Sequence, residues 1–515
     1  MGIRIRDLRA LMVAAACSLV AAAPLMSSGP ATSAPKRGGT ITMALEADFP
    51  SLDPIRVSAL VERQVAMAIM DPLFDLSEDG QLVPVLAKGY EALEDGRIYR
   101  ISLRDGVKFH DGTPLNAEAV VFNIERLRNP KNACRCLPLL SDILEVKAVD
   151  ALTVDFVMKG PNAVLPTVLA DAPGLILSPT AIAANEKAVA SRPVGTGPFI
   201  LSEWKAGFRN VLERNPNYWR AGKPHLDRVV FVPLSNEESR QSSLLSGVVD
   251  VVQSPSAKFV RDMRENKRYK IMTGAGLGSL FLMMNTRTPP FDDVRVRQAI
   301  AHATDRRLIV KAIYHDQYPL ADSLIAPGSW AYSKATKPLD HDVAKAKALL
   351  AEHGKPVSFT LTTTPSPLNN LMAQALQEMW AEVGIKAEIK PVEQARFIRD
   401  AISHQFQMSY FRWAGRPDPD LSLFRAFHSS LADKPSSNYT QYANPKLDAL
   451  LEKGRVTIDR DARKKIYHEA TDILASDLPY FYIYFATFHS VMNAKVHPGP
   501  NIPDGVLRLV DAWVE

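Results

Sequence analysis

The 515-residue sequence lacks the short motifs that mark the common enzyme classes. It holds no G-x-S-x-G nucleophile elbow, no H-E-x-x-H metal motif and no G-x-x-x-x-G-K-[ST] phosphate loop. Its 11 histidines are scattered, and none has a partner at a metal-binding or catalytic spacing. We therefore predict no catalytic residue, no metal site and no cofactor, and we expect a protein that is not an enzyme.

Long runs of one charge are also missing. The net charge is +5, from 61 basic and 56 acidic residues, and no five like charges follow one another. This pattern argues against a nucleic-acid partner, which needs a basic patch or stripe. Hydrophobic residues make up 46% of the chain, which is ordinary for a globular protein, and the length predicts two or three domains.

The N-terminus differs from the rest of the chain. Arginines in the first nine residues precede an apolar run at 10–26, and small residues follow it. This order predicts a secretory signal over 1–34, cut after Ala34, and a periplasmic mature protein. The run is shorter than the ~20 residues that a membrane span needs. Lipid attachment at Cys17 is the alternative, although the usual leucine three residues before that cysteine is missing.

Two cysteines remain after the predicted signal, Cys134 and Cys136. A C-x-C pair matches no zinc spacing on its own. In an oxidising compartment we expect a small loop disulfide. The alternative is a redox-active pair, in which Arg135 lowers the pKa of a thiol.

Strand and helix patterns alternate along the chain, which predicts an α/β fold. Residues 41–45 alternate as a strand does, and "PYFYIYFATFHSVM" is typical of a core strand. Asn116 is expected to cap a helix, and Ser235 with Glu238 to form a capping box. The other helices are predicted at 57–70, 292–303, 305–314, 341–353, 369–383, 444–453 and 459–475.

The run "RWAGRPDPD", residues 412–420, carries an unusual mixture of charged, aromatic and proline residues. An arginine fork such as that of Arg416 prefers a carboxylate or phosphate, and Trp413 offers a flat apolar wall with one N–H donor. The alternative is an inert turn, in which Arg416 pairs with Asp418 or Asp420. We refer to this segment as the arginine loop.

Several strings occur in one order along the chain and resemble the extracytoplasmic solute-binding proteins of family 5, which serve importers of peptides, nickel and glutathione. The resemblance covers nearly all of the chain after the predicted signal. Its strings are "GGTITMALEADFPSLDP", "VKFHDGTPLNAEAVVFNIERL", "PVGTGPFILSEW", "LERNPNYWRAGKPHLDRVVF", "NTRTPPFDDVRVRQAIAHATDRRLI" and "NYTQYANPKLDALLEK".

The resemblance implies a type II periplasmic-binding-protein fold with three lobes and two jaws. The first lobe is expected to be discontinuous, from 38–47, 190–275 and 480–515. A second lobe, specific to the family, is expected at 48–189, and the third at 276–479. The ligand is expected in the cleft between the first and third lobes.

The resemblance also places the arginine loop on the third lobe, facing the cleft. Many peptide binders of the family have an aspartate three residues after the tryptophan, which pairs with the peptide's amino group. This chain has Arg416 there, and its W-x-G-R-x-D-P-D pattern is more similar to the glutathione-type members. The expected ligand-binding residues are Tyr410, Trp413, Gly415, Arg416 and Asp418 on one jaw, and Ala47 and Asp48 on the other.

The implied function is that of an ABC importer's receptor, which captures a short peptide or a peptide-like acid such as glutathione by hinged closure. Its expected partners are that ligand and the permease subunits in the inner membrane, and we expect a monomer. One alternative is a nickel or metal-chelate binder of the same family, with His428 near the cleft. Alternatives from other classes are a secreted peptide hydrolase and a chaperone-like envelope protein.

Overall fold

The computed structural model describes residues 35–335 and 339–515. The predicted signal and Cys17 lie outside the described residues. Within them, Cys134 and Cys136 form a disulfide, as expected. No helix in the described part of the chain has both the length and the apolar character to cross a membrane.

The elements alternate between strands and helices through most of the chain, which confirms the α/β class. The strands are β1 (Thr40–Leu45), β2 (Phe74–Leu76), β3 (Leu82–Pro84), β4 (Ala87–Leu93), β5 (Ile98–Leu103), β6 (Ile143–Asp150), β7 (Thr153–Met158), β8 (Phe199–Lys205), β9 (Arg209–Arg214), β10 (Arg228–Pro233), β11 (Val251–Gln253), β12 (Tyr269–Met284), β13 (Ser358–Thr363), β14 (Lys386–Pro391), β15 (Met408–Trp413), β16 (Tyr480–Asn493), β17 (Val496–His497) and β18 (Trp513–Val514). The α-helices are α1 (Leu60–Ile69), α2 (Ala117–Arg128), α3 (Leu165–Val168), α4 (Pro179–Ala184), α5 (Glu237–Leu245), α6 (Ala257–Met263), α7 (Val294–Ala303), α8 (Arg306–Tyr314), α9 (Val343–His353), α10 (Pro367–Glu382), α11 (Gln394–Ile402), α12 (Asp420–Phe427), α13 (Pro445–Val456) and α14 (Arg460–Asp477).

One ten-stranded sheet runs through the first and third lobes, in the order β14-β13-β15-β12-β16-β11-β1-β10-β9-β8. The long antiparallel strands β12 and β16 cross from one lobe to the other. Their pairing breaks register between Ala275 and Ser279 and again at Leu280. The second lobe has its own four-stranded sheet, in the order β4-β5-β7-β6. The connection between the jaws is therefore a pair of crossing strands with a local irregularity.

The sheet of the third lobe is buried on both faces, because successive residues of a strand point to opposite sides. Leu280 and Leu282 of β12 pack into a core with α7, α8 and α10. Phe281 and Met283 pack into a different core with α12, α13 and α14. The fully buried, nearly continuous apolar run "LFLMM" follows from these two covered faces.

The packing differs from the predicted lobe boundaries at three places. Residues 49–69, which include α1, and residues 172–189 were expected in the second lobe, but their buried apolar side chains, apart from Ile55 and Ile176, pack in the first-lobe core around β1. The second-lobe core draws its remaining residues from Leu73 to Ile176, besides Ile55. Residues 480–485 were expected in the first lobe, yet they pack into the two cores of the third.

Helix starts follow local capping chemistry. Asn116 accepts a hydrogen bond from the amide of Ala119, as predicted. The predicted capping box of Ser235 and Glu238 is wrong, since α5 is capped by the next residue, Asn236, which accepts from the amide of Ser239. Both residue types are good caps, so the sequence alone left the start of α5 uncertain by one position.

Candidate functional site

The arginine loop lies where β15 leaves the ten-stranded sheet. Gly415 has φ +80 and forms a bridge with Leu277, beside the register break of β12. A Cβ on Gly415 would lie 2.1 Å from the backbone of Leu277, so no other residue fits there. This glycine holds the loop against the strand that connects the two jaws.

Strand alternation separates two of the predicted ligand residues. Trp413 packs beside the core under α12–α14, and its Nε1 donates to Ser422 Oγ at 3.1 Å. Tyr410 lies on the opposite face of β15, is 7% exposed, and donates its hydroxyl to the carbonyl of Asn369 at 2.7 Å. The structure therefore does not bring Tyr410 together with Trp413, and we assign Tyr410 to the core.

Both aspartates of the arginine loop have arginine partners on later helices. Asp418 is 1% exposed, and its two carboxylate oxygens accept from Arg463 at 2.8 and 2.9 Å. Asp420 pairs with Arg455 at 2.9 Å. The alternative in which Arg416 pairs with either aspartate is therefore wrong. The geometry gives Asp418 a structural role, since a carboxylate held at both oxygens in the interior is not free for a ligand.

Arg416 is different from these arginines. Among the described residues, no carboxylate lies within ion-pair distance of it, and its Nε is buried without a hydrogen-bond partner. Its guanidinium lies 5.4 Å from the centre of the Trp413 ring, which is a cation–π distance. A half-buried cation without an ion-pair partner is costly, which makes Arg416 a candidate for contact with an anion.

The charges around Arg416 come from both jaws. Burial has the largest effect and lowers the pKa of Arg416, Asp171 raises it, and Arg63 and Arg425 have smaller lowering effects. Arg63, on α1, is shared between Asp171 at 2.8 Å and Asp504 at 2.6 Å. Charged groups of both signs, from the third lobe and from the facing jaw, therefore influence Arg416. Sequence analysis missed Arg63 and Arg425, because no motif marks an arginine whose role depends on residues far away in the chain.

The structure places Asp48 and Ala47 elsewhere. Asp48 is exposed, accepts a hydrogen bond from the amide of Gly207 at 2.6 Å, and lines a hollow of about 880 Å³ with Phe49 and Trp204. No residue of the arginine loop lines that hollow. Ala47 packs against the first-lobe core. We therefore remove both residues from the candidate site.

A further hollow of about 810 Å³ lies between the first and second lobes, beside Asp71 and Trp219. It also contains no residue of the arginine loop. The two large hollows are thus separate from Arg416, and their size alone does not make either of them the ligand site.

His428 is engaged in internal contacts. Its Nδ1 lies 2.8 Å from Ser430 Oγ and its Nε2 lies 3.3 Å from Glu452 Oε1, while its ring stacks on Phe424. In the part of the chain that the structure describes, no three His, Cys, Asp or Glu side chains are grouped to hold a metal ion. The contacts of His428 therefore give no support to the nickel-binding alternative.

The second and third lobes touch each other directly. Arg460 at the start of α14 donates to the carbonyl of Gly80 at 3.2 Å and to the side chain of Gln81. The same guanidinium lies 4.5 Å from the ring centre of Trp330. The amide of Ala163 donates to the carbonyl of Arg455 at 2.9 Å. These contacts close the cleft along the side of the second lobe, and we refer to the contact of turn 77–81 with Arg460 and Trp330 as the clasp.

Comparisons with known proteins agree with this architecture. The glutathione-binding protein GsiB of Pectobacterium atrosepticum is 28% identical over 480 residues, covering 91% of this chain and 93% of that protein. The structure of the periplasmic binding protein DppA from Helicobacter pylori with the peptide STSA has a TM-score of 0.79 and 26% identity, and covers 93% of this chain and 99% of that one. NikZ from Campylobacter jejuni with Ni(L-His) has a TM-score of 0.76 and 25% identity, over 91% of this chain and 97% of that one.

The sequence profile of the bacterial extracellular solute-binding proteins, family 5 Middle, matches residues 81–434. The three-lobed α/β architecture and the type II periplasmic-binding-protein fold are those of the matched structures. The chain belongs to the bacterial extracellular solute-binding proteins of family 5 and is the substrate-binding protein of an ABC importer.

Proposed function

We propose that the cargo of this binding protein is a short peptide or a peptide-like acid, with glutathione as the leading candidate, and that Arg416 holds one of its carboxylates. The observation that carries the proposal is the guanidinium of Arg416, which has no carboxylate partner among the described residues and a buried Nε with no acceptor. A planar guanidinium binds a carboxylate through two parallel N–H donors, a geometry that lysine lacks.

The surroundings of Arg416 favour an anion over a cation. After burial, Asp171 has the largest effect on the pKa of Arg416 and raises it, while the two arginines Arg63 and Arg425 lower it. Asp171 is itself held by Arg63 at 2.8 Å, which reduces its effect on a ligand. The names of the matched proteins support the same class of cargo, since one binds glutathione and another was solved with a short peptide.

Capture in this proposal is a shift between an open and a closed form, and no bond of the cargo is made or broken. Strands β12 and β16 are the connection about which the jaws move, with the register break near residues 275–281 as the flexible point. The cargo stabilises the closed form by binding it better than the open one.

We also propose where this protein acts and which partners it has. The chain is exported by residues 1–34, with lipid attachment at Cys17 as the alternative, and acts in the periplasm as a monomer. It delivers its cargo to permease subunits in the inner membrane, binds no nucleic acid, and does not hydrolyse its cargo. Recovery of unaltered glutathione after prolonged incubation is the expected result.

The test compares glutathione with its diethyl ester, which lacks both carboxylates, by titration calorimetry. Changing Arg416→Gln removes the charge and the fork, and we expect glutathione to bind about 30-fold more weakly, since a hydrogen bond to a charged group contributes about 2 kcal/mol. The ester should bind weakly to both forms, with little difference between them.

A matched control is Arg412→Gln, which removes an exposed arginine near the end of β15, four residues before Arg416. It should leave glutathione affinity within about twofold, because exposed charges contribute little. Equal affinity of Arg416→Gln and the unaltered protein for glutathione would contradict the carboxylate contact. Failure of glutathione and other acidic tripeptides to bind the unaltered protein would contradict the cargo class.

A further inference from the structure

The second and third lobes enclose a hollow of about 290 Å³ that belongs to neither lobe alone. Its wall in the second lobe includes Leu139, Leu165 and Val168, and its wall in the third includes Leu421, Phe424 and Leu431. We refer to this hollow as the annex. Its volume is at the lower end of the range of small-molecule pockets, which suits one side chain or a short apolar group.

The annex is mostly apolar, and its charged groups are largely paired with one another. Asp420 and Arg455 form an ion pair at 2.9 Å, and Arg455 also lies over the ring of Phe424 at 3.6 Å. Asp142 accepts from Asn162 Nδ2 at 3.1 Å. Arg425 also lines the annex, and no ion pair or hydrogen bond holds its guanidinium among the described residues. The annex thus offers apolar walls and one available cation.

Each wall of the annex lies close in the chain to residues that influence Arg416. On the third lobe, Arg425 lines the annex and is near enough to Arg416 to affect the pKa of that guanidinium. On the second lobe, Val168 ends helix α3 in the annex wall, and Asp171, three residues later, pairs with Arg63 at 2.8 Å. Trp413, whose ring centre lies 5.4 Å from the guanidinium of Arg416, donates to Ser422 at 3.1 Å, next to Leu421 of the annex wall. The annex therefore lies beside the candidate carboxylate site.

We propose that the annex is a second binding pocket of the cleft and takes an apolar group of an acidic cargo whose carboxylate lies at Arg416. The proposal rests on the proposed function and narrows its cargo class to acids with an apolar side chain or substituent. The pocket lies between the second and third lobes, so the second lobe would select cargo rather than only support the jaws.

The annex walls meet only when the second and third lobes are in contact. Ala163 donates its amide to the carbonyl of Arg455 at 2.9 Å, and the clasp joins the same two lobes. A cargo that fills the annex would therefore make contacts that exist only in the closed form. These contacts would stabilise the closed form and raise the affinity for that cargo.

The test compares glutathione with S-hexylglutathione, which differs by one apolar chain. S-hexylglutathione should bind the unaltered protein at least about tenfold more tightly, because burial of a methylene contributes about 0.8 kcal/mol, equivalent to roughly fourfold in affinity. Leu139→Trp fills the annex from the second lobe and should remove this preference while glutathione itself binds as before. Leu431→Trp fills it from the third lobe and should do the same.

Two outcomes separate the pocket from the proposed cargo. If S-hexylglutathione keeps its advantage in both tryptophan variants, the annex proposal is overturned. If neither glutathione compound binds, the proposed cargo is wrong, and 1-anilinonaphthalene-8-sulfonate, an apolar anion, then decides on the annex by its fluorescence. Enhancement that is lost in both variants and weakened in Arg425→Gln supports the pocket, and enhancement unchanged in all three overturns it. Thermal unfolding of each variant establishes that it is folded.

Discussion

The arginines around the arginine loop differ in whether their guanidinium groups pair with a carboxylate. Arg463 holds Asp418 through two hydrogen bonds in the interior, and Arg455 holds Asp420. Arg416 lies in the same loop as both aspartates and has neither of them as partner. The two aspartates thus hold the loop in place through Arg463 and Arg455, and Arg416 has no ion-pair partner among the described residues.

The sequence predicts a ligand contact at Arg416, but it does not show which residues pair with the two aspartates of the arginine loop. Arg463 lies 45 residues after Asp418, and nothing in the local pattern joins the two. Local pairing of Arg416 with Asp418 or Asp420 was an equally reasonable reading of "RPDPD". The packing of α13 and α14 against the loop decides between these two interpretations. This long-range packing cannot be predicted from a single sequence.

Asp71 is a buried carboxylate outside the candidate site. Tyr218 donates to its Oδ1 at 3.0 Å, and the indole of Trp219 donates to its Oδ2 at 2.8 Å. Burial raises the pKa of Asp71 to about 6 in spite of these hydrogen bonds. Ionisation of Asp71 is therefore harder in the folded chain than in the unfolded one, where an aspartate titrates near 3.9.

We predict that this aspartate makes the protein more stable in mild acid. Its stabilising contribution is fully present below about pH 4 and is lost as pH rises through about 6, a change of roughly 3 kcal/mol. Asp71→Asn should flatten the pH dependence of the unfolding free energy over this window, measured by urea unfolding at fixed pH values.

The control for that measurement is Asp105→Asn, which changes an exposed aspartate in a turn. It should keep the slope of the unaltered protein between pH 4 and 6. A slope that Asp71→Asn leaves unchanged would show that the side chain titrates in the folded protein as it does in the unfolded chain.

Most helices and strands could be predicted from the sequence, unlike the ion pairs between residues far apart in the chain. The helices predicted at 305–314 and 459–475 correspond to α8 and α14 within about two residues at each end, because periodic apolar residues and aspartate caps mark them. The core strand predicted from "PYFYIYFATFHSVM" is β16. The order of the sheet could not be read from these segments, since β12 and β16 pair with strands far away in the chain.

The clasp gives a prediction about the turn between β2 and β3. Gly80 has φ +70, and a Cβ there would lie 2.6 Å from the carbonyl oxygen of Gly328 in the third lobe. Gly80→Ala should hinder closure and weaken cargo binding by about tenfold, since overpacking costs about 1–3 kcal/mol. Titration calorimetry with glutathione measures the change.

Gly106→Ala is the matched control, because Gly106 has φ +74 and open space around its Cβ position. Both variants place alanine in the left-handed region and should lose similar unfolding free energy, but only Gly80→Ala should lose affinity. Equal cargo affinity in the two variants would mean that turn 77–81 does not approach Gly328 when the cargo is held.

At the scale of the whole molecule, the positions of the hydrophobic cores decide which lobe each element belongs to. The first and third lobes share one sheet but have separate hydrophobic cores, and β12 and β16 pass between them. The predicted boundaries placed α1 in the second lobe, whereas its packing joins it to the first. Arg63 on α1 is thereby fixed to the jaw that faces Arg416. The predicted boundaries follow the order of the family-like sequence segments along the chain. That order does not show that α1 packs against the first lobe.

The central claim is that two jaws close over a small acid without chemical change. Small-angle X-ray scattering with and without saturating glutathione tests it most directly. We expect the radius of gyration to fall when glutathione is added, to fall less for Arg416→Gln at the same concentration, and the glutathione to be recovered intact. A scattering curve that no acidic peptide alters, or a cargo recovered in pieces, would contradict the claim.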